Sequence, residues 1–150
     1  MKTKAAISIM LFHTCFLLTL SGQQTRLIIG ELNDSQANLI NTEGAAKTLK
    51  ANLSPDAVIS HLRIQWVEDE GKYFLLARVD NAKPSAIAME LDKDGELLYA
   101  LSNPVSQLEC TSDRNCTNCD WSMVNLTTLV CNCVGSTSGQ CSISKTILIN

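Results

Sequence analysis

Six cysteines lie between Cys110 and Cys141, whereas the long stretch from Gln23 to Glu109 contains none. At this density, cysteines form disulfides, bind a metal or carry out thiol redox chemistry, and each choice implies a different protein. The distribution also separates a cysteine-free body from a cross-linked tail. The compartment in which the chain works decides between the three chemistries, because it sets the redox state of the sulfurs.

The first 22 residues have the pattern of a secretory signal peptide. Two lysines precede an apolar run from Ala5 to Leu20, and the small residues Ser21-Gly22 follow it. A basic start, a short apolar core and a small-residue exit are typical of such a signal. The run is interrupted by polar residues and is shorter than the roughly 20 apolar residues that span a bilayer. We therefore predict cleavage near Ser21-Gly22, which also removes Cys15. The mature protein is expected to be secreted or periplasmic, without stable membrane insertion.

The charge of the chain excludes two classes of partner. Acidic residues number 15 and basic residues 12, and two of the lysines belong to the predicted signal peptide. The remaining basic residues are scattered along the chain. Nucleic-acid binding would call for a basic patch, and binding to an anionic membrane would call for a basic run. We therefore expect neither kind of partner.

Apolar spacing predicts one helical segment after the signal peptide. From Asp34 to Leu53 the apolar residues form an intermittent stripe close to a 3.6-residue period. Gly44 weakens the middle of this segment, so we expect a break near Asn41-Thr42. Thr42 would then cap a helix over 43–52. A second start signal at 54–56 predicts one more short turn, through residue 59. The stripe consists of Ala37, Ile40, Ala45, Leu49 and Leu53.

Beyond residue 60 the apolar period changes to two, which predicts strands. Four alternating runs are separated by turn signals at Glu68–Gly71, Asn81–Pro84 and Asp94-Gly95. They form an antiparallel meander, whose apolar face needs a cover, and the preceding helix is the available one. The predicted class is α+β. An N-terminal helix packs on a meander of about four strands in a body over 23–104, and a loop-dominated, disulfide-rich tail follows over 105–150.

The tail is predicted to contain three disulfides. It is rich in Thr, Ser, Asn and Gly, so it buries too little apolar surface to offset the entropy of ordering it. An even number of cysteines in a secreted chain favours disulfides, and six cysteines allow 15 pairings. Cys131 and Cys133 are too close in sequence to pair with each other and are expected to have different partners. The six predicted disulfide residues are Cys110, Cys116, Cys119, Cys131, Cys133 and Cys141.

Two other readings of the cysteines remain open. Cys116-x-x-Cys119 and Cys131-x-Cys133 could supply the two halves of a zinc site, although such sites usually have two to four residues between both pairs. Cys116-x-x-Cys119 could also act as a redox motif, but no helical pattern follows it. An oxidising compartment favours disulfides over both, so we predict no metal and no cofactor.

Catalytic residues are not apparent, and we predict that the protein is not an enzyme. His61 is the only histidine left after signal cleavage, and no Gly-x-Ser-x-Gly elbow accompanies it. The acidic run 68–70 and the pair Asp92 and Asp94 match hairpin turns better than a calcium loop, whose other ligands are missing. Four glycosylation sequons begin at Asn33, Asn52, Asn115 and Asn125, and they matter only in a eukaryotic source.

The function class that the sequence favours is a small secreted, non-catalytic binding or cell-exterior interaction module. The sheet edges and the tail loop from Thr111 to Val130, with Trp121 and Met123 as anchors, would form its contact surface. The sequence does not identify the binding partner, and the class of partner that we expect is another protein. One alternative is an inhibitor of an extracellular enzyme that acts through the stapled tail, because stapling lowers the entropy cost of binding. The other alternative is a cysteine-ligated metal protein or a thiol-redox protein.

Overall fold

A computed structural model describes ten strands and one helix in this chain. It covers residues 25–51, 53–54, 56–80, 84–101, 106–113, 115–125, 127–135 and 139–146. The predicted signal peptide, Cys15 and the sequon asparagine Asn52 lie outside the described residues. The strands are β1 (Arg26–Asn33), β2 (Gln36–Leu39), β3 (Val58–Val67), β4 (Lys72–Asp80), β5 (Ser85–Asp94), β6 (Leu97–Leu101), β7 (Gln107–Ser112), β8 (Asn118–Val124), β9 (Thr128–Val134) and β10 (Cys141–Thr146), and the helix is α1 (Thr42–Lys50).

The predicted α+β class is wrong, because the described residues are mostly strand. Eight strands form one nearly closed antiparallel sheet, and β8 and β9 form a separate hairpin. The predicted meander is present as β3 to β6, but it is only part of that sheet. The single helix has nine residues and is too short to be a layer of its own. Among the described residues, no helix is long and apolar enough to cross a membrane.

The error lies in the first half of the predicted helical segment, which forms a hairpin instead. Asp34 and Ser35 both have positive φ, 48° and 69°, as a two-residue hairpin turn requires. This turn joins β1 to β2, so that Leu32 pairs with Ala37 across it. Aspartate and serine do not mark such a turn as clearly as Asn-Gly does, so the apolar spacing alone predicts a helical stripe here.

The second half of the segment does form a helix. α1 covers most of the predicted range 43–52, but its cap is Asn41 rather than Thr42. The Asn41 Oδ1 accepts a hydrogen bond from the Gly44 amide at 2.9 Å. The prediction that a short turn extends through residue 59 is wrong, because β3 already begins at Val58. Ile59 pairs with Val79 of β4.

β5 organises the large sheet, because its two ends pair with different strands. Residues 85–89 pair with β7, residues 92–94 pair with β6, and β4 pairs with β5 from residue 85 to 91. From β6 the sheet continues to β1 and β2, and from β7 it continues to β10. β3 pairs with β4 and lies beside β2, which brings the two margins of the sheet together. The cysteine-rich segment therefore supplies two strands, β7 and β10, to the same sheet as the meander.

A first core fills the space between α1 and one face of the sheet. Ala45 and Leu49 of α1 are fully buried in it, and the alternate residues of β4 and β5 face them. Gly30 of β1 lets the strands approach closely here, since a Cβ atom at this position would lie 3.0 Å from the Asn38 carbonyl oxygen. The buried residues are Ile29, Ala45, Leu49, Ala57, Leu75, Ala77, Val79, Ile87, Met89, Leu91, Leu98 and Ala100.

A second core lies on the opposite face of β4 and β5, where the β8–β9 hairpin covers them. Both central strands are thus buried on two faces, and both contain continuous apolar runs, at 74–77 and 86–89. Such runs are typical of strands that are covered on both sides. The residues buried in the second core are Val67, Phe74, Leu76, Ala86, Ala88, Cys110, Cys116, Cys119 and Trp121.

Candidate functional site

The six described cysteines form three disulfides, as predicted. The pairs are Cys110–Cys131, Cys116–Cys133 and Cys119–Cys141, with Cα–Cα separations of 5.6, 5.7 and 6.1 Å. Cys131 and Cys133 reach two different partners, as their spacing predicts. The bridges join the β8–β9 hairpin to β7, to β10 and to the segment before β8.

The sulfur atoms of different bridges are also close neighbours. Cys116 Sγ lies 3.4 Å from Cys141 Sγ and 3.8 Å from Cys119 Sγ, although it is bonded to neither. Triplets of cysteines are near enough for a shared metal ion, but each of these sulfurs is bonded to another sulfur and offers no thiolate. Cys116 and Cys119 do not bond to each other. Each forms a disulfide with a different cysteine, Cys133 or Cys141, and both are buried in the second core.

Polar contacts reinforce the attachment of the hairpin to the sheet. Arg78 of β4 donates from Nε and Nη2 to one carboxylate oxygen of Asp120, at 3.1 and 2.7 Å. The other oxygen of Asp120 accepts from the Trp121 amide at 2.8 Å. Arg63 of β3 donates to the Trp121 carbonyl at 2.6 Å. At the far end of the hairpin, the Asp69 carboxylate accepts from the Thr128 hydroxyl.

The structure does not place Trp121 as an anchor of the tail's contact surface. Trp121 was expected to be an exposed anchor, but it is only 2% exposed and lies in the second core. Met123 packs against the same core and is half-buried. Both residues face the sheet because they alternate with outward-facing residues along β8. The predicted loop from Thr111 to Val130 consists largely of strand.

His61 does not form the geometry of a catalytic triad. It is exposed and adopts a positive φ of 52°, at an irregularity in the pairing of β3 with β4. Its Nδ1 lies 3.1 Å from the Ser60 hydroxyl, which donates to Asp80 at 3.0 Å. The serine therefore stands between the histidine and the aspartate, whereas a Ser-His-Asp triad needs the histidine in the middle.

The acidic candidates lie in two hairpins, one group in a turn and the other at the end of β5. The 68–70 run lies in the β3–β4 turn, where the Asp69 amide donates to the Thr127 carbonyl at 3.3 Å. Asp92 and Asp94 are exposed at the β5–β6 hairpin, and Asp94 forms an ion pair with Arg26 at 3.4 Å. Asp92 also lines a groove along β4 and β5 together with Glu90.

Three of the four sequon asparagines are among the described residues. Asn33, Asn115 and Asn125 are all exposed, and the last two have positive φ values in turns. Exposed turns are compatible with the attachment of a glycan. Whether they carry glycans stays a prediction that depends on the source.

An aromatic pair on the β3–β4 hairpin is the feature that sequence reasoning missed as a site. Trp66 and Tyr73 are direct cross-strand neighbours. Their ring centroids are 4.8 Å apart, and the ring planes are inclined by 53°. Tyr73 packs against the first core, whereas Trp66 keeps 41% of its surface exposed. The aromatic pair therefore presents a supported indole ring to solvent.

Two grooves flank the aromatic pair. One, of about 390 Å³, lies between β2 and β3 and is here called the uncharged groove; besides the two rings, its lining residues are Ser35, Gln36, Ala37, Asn38, Ile64 and Gln65. The other, of about 480 Å³, lies along β4 and β5 and is here called the charged groove; its further lining residues are Gly71, Lys72, Glu90, Leu91, Asp92 and Lys93. Both volumes fall in the range of roughly 300–1,000 Å³ found for small-ligand sites.

A signal for this site was present in the sequence. The turn over 68–71 pairs the residues on either side of it, so Trp66 and Tyr73 had to face each other once the hairpin was assigned. The contribution of β2 does not follow from the sequence in the same way, because the apolar spacing of this segment predicts a helix. The enzyme-inhibitor alternative and the metal or redox alternative stay hypotheses.

A concave surface with an exposed indole and several polar side chains can bind a ligand by stacking and by hydrogen bonds. Neither groove contains a histidine, a cysteine or a serine–base pair that could act as a nucleophile. Comparison with known proteins finds no matching family model, no similar curated protein and no similar solved structure.

Proposed function

We propose that this protein is a secreted, non-catalytic, disulfide-stabilised binding module whose ligand site is the aromatic pair with its two grooves. The observation that carries the proposal is the exposed Trp66 ring. It packs against its cross-strand neighbour Tyr73, and a groove lies on each side of the pair. Tryptophan and tyrosine are enriched among the residues that dominate binding energy.

The exposure of Trp66 supports a binding role because it leaves apolar surface in water. Burying such surface is worth about 25 cal/mol per Å², so a ligand that covers the ring gains affinity at this position. The ring also loses little freedom on binding, because it already packs against Tyr73 on a regular hairpin.

The rigidity of the scaffold supports the same role. Tyr73 belongs to β4. The opposite face of β4, which includes Phe74, packs against the disulfide-bonded β8–β9 hairpin. A site on regular strands that are held from behind keeps its geometry before the ligand arrives, which lowers the cost of binding.

The secreted location rests on two independent features. One is the signal-peptide pattern of residues 1–22, and the other is the set of three disulfides. Disulfides persist in oxidising compartments and are rare where thiols are kept reduced.

A paired screen tests the proposal. The oxidised mature protein and Trp66→Ala are incubated with an array of immobilised glycans and with a library of displayed peptides. We expect probes that the unmodified protein retains and the Trp66→Ala variant loses. Val58→Ala is the matched control, because Val58 is a 57% exposed apolar residue at the opposite end of the same strand, and it should retain the same probes.

The result that contradicts the proposal is equally concrete. If no probe is retained, or if every retained probe is bound equally by Trp66→Ala, the aromatic pair is not the ligand site. Far-UV circular dichroism checks that Trp66→Ala is folded. We expect the variant to fold, because the Trp66 side chain is partly exposed.

A further inference from the structure

We infer that the uncharged groove binds a neutral oligosaccharide, with one sugar ring stacked on Trp66 and its hydroxyl groups bonded to amide side chains of β2 and β3. The inference rests on the proposed function, since it names the ligand class of the same site. It is carried by the juxtaposition of an exposed indole with unpartnered amides in a groove that contains no charge.

The aromatic ring suits one face of a sugar. A pyranose ring has a flat face of C–H groups, which are slightly positive, and a rim of hydroxyl groups. The face of an indole carries negative charge density, so it attracts polarised C–H groups, and its flat apolar surface matches theirs. Trp66 is available for such stacking because its partner Tyr73 leaves 41% of it exposed.

The amide side chains suit the rim of the sugar. Each sugar hydroxyl both donates and accepts a hydrogen bond, and a side-chain amide offers two donor hydrogens and one acceptor oxygen. Gln36 and Asn38 are exposed, and their side-chain amides make no hydrogen bond to any part of the chain that the structure describes. They stand two residues apart on β2, so they project from the same face about 7 Å apart.

Gln65 adds a third amide from the other side of the groove. Its Nε2 donates to the Trp66 carbonyl at 3.0 Å, which orients the side chain and leaves its Oε1 as an acceptor. The groove therefore has amides on both walls, one from β3 and two from β2, and an aromatic ring at one end.

The absence of charge in this groove selects against ionic ligands. None of the residues that line it is charged at neutral pH. A phosphate, a sulfate or an ammonium group would enter the groove without a counter-charge, which is unfavourable when its water is removed. In the charged groove, by contrast, Lys72 and Glu90 already pair with each other at 2.5 Å.

Calorimetric titration tests the inference. The oxidised mature protein is titrated with linear neutral oligomers of glucose, of mannose and of N-acetylglucosamine. We expect saturable binding to at least one of them. We expect Trp66→Ala to raise the Kd at least about 30-fold, because such an aromatic contact carries much of the binding energy. Gln36→Ala and Asn38→Ala should each raise it about 3- to 10-fold, as expected for a lost hydrogen bond.

Fluorescence gives a second readout of the same site. The chain has two tryptophans, and Trp121 is buried, so an emission change that a sugar causes reports on Trp66. Val58→Ala, at the opposite end of β3 and outside both grooves, is the matched control, and it should leave the Kd and the emission change unaltered.

The outcomes separate this inference from the proposed function. If displayed peptides bind through Trp66 but no neutral oligosaccharide does, the site is real and the ligand class is wrong. If only sulfated or otherwise charged oligosaccharides bind, the inference is overturned. It is also overturned if a neutral oligosaccharide binds but the Kd is unchanged in Gln36→Ala, Asn38→Ala and Trp66→Ala, and in that case the proposed site fails with it.

Discussion

Asp120 joins two layers of the molecule through one carboxylate. One oxygen accepts two hydrogen bonds from the Arg78 guanidinium of the sheet, and the other accepts from the Trp121 amide of the hairpin. Hydrogen bonds to charged groups contribute about 1.5–3 kcal/mol each, and a partly buried arginine without its partner adds a desolvation cost. We predict that Asp120→Ala lowers the free energy of unfolding by about 1–3 kcal/mol, measured by denaturant titration.

A second acidic residue provides the control for this prediction. Asp94 pairs with Arg26 at 3.4 Å, and both side chains are well exposed. Exposed ion pairs contribute about 0–1 kcal/mol, so Asp94→Ala should stay close to the unmodified protein. Equal losses in the two variants would mean that the Asp120 carboxylate has no special role in holding the hairpin.

At the scale of elements, the central strands could be predicted and the outer ones could not. Alternation revealed the positions of β3 to β6, and the runs at 74–77 and 86–89 also contained the signal for two covered faces. β2 is not predicted because the turn that joins it to β1, Asp34-Ser35, lacks glycine, although it adopts a turn conformation that glycine usually provides.

The strands of the tail were missed for a different physical reason. β8, β9 and β10 are rich in polar and cysteine residues, so their ordering depends on cross-links that apolar spacing does not report. The number of disulfides could be predicted, whereas their pairing could not, because pairing follows from the register of β8 with β9 and of β7 with β10. The burial of Trp121 depends on the same register.

The β8–β9 hairpin gives a prediction at this scale. A two-stranded hairpin alone is marginally stable in water, so its order should depend on its bridges. We predict that the double variant Cys110→Ala, Cys131→Ala loses about 2–4 kcal/mol of unfolding free energy. Hydrogen exchange should also become faster in β8 and β9 than in β4. Val124→Ala, an exposed change in the same hairpin, should alter neither quantity.

The result that would refute the dependence on bridges is unchanged protection of β8 and β9 in the double variant. In that case Trp121 and the Arg78–Asp120 contact would be sufficient to hold the hairpin.

At the scale of the whole molecule, β4 and β5 belong to both cores. Phe74 and Leu76 face the second core, while Leu75 and Ala77 between them face the first. Loss of either core would expose apolar surface on strands that the other core needs. The candidate site depends on this arrangement, because Trp66 and Tyr73 lie on the hairpin that β4 shares with β3. The pairing of these two rings could be predicted from the sequence. The uncharged groove beside them could not, because β2 forms one of its walls and the position of β2 follows only from the closure of the sheet.

We therefore predict that the oxidised protein unfolds in one cooperative transition. In the variant Trp66→Phe, Trp121 is the sole tryptophan and reports on the second core, while far-UV circular dichroism reports on the strands as a whole. Because the two cores share their central strands, both signals should change at the same denaturant concentration. An earlier transition at Trp121 would show that the segment 105–150 unfolds independently of 23–104. That outcome would support the division drawn from the cysteines, and it would mean that the disulfide-bonded layer adds nothing to the rigidity of the aromatic pair.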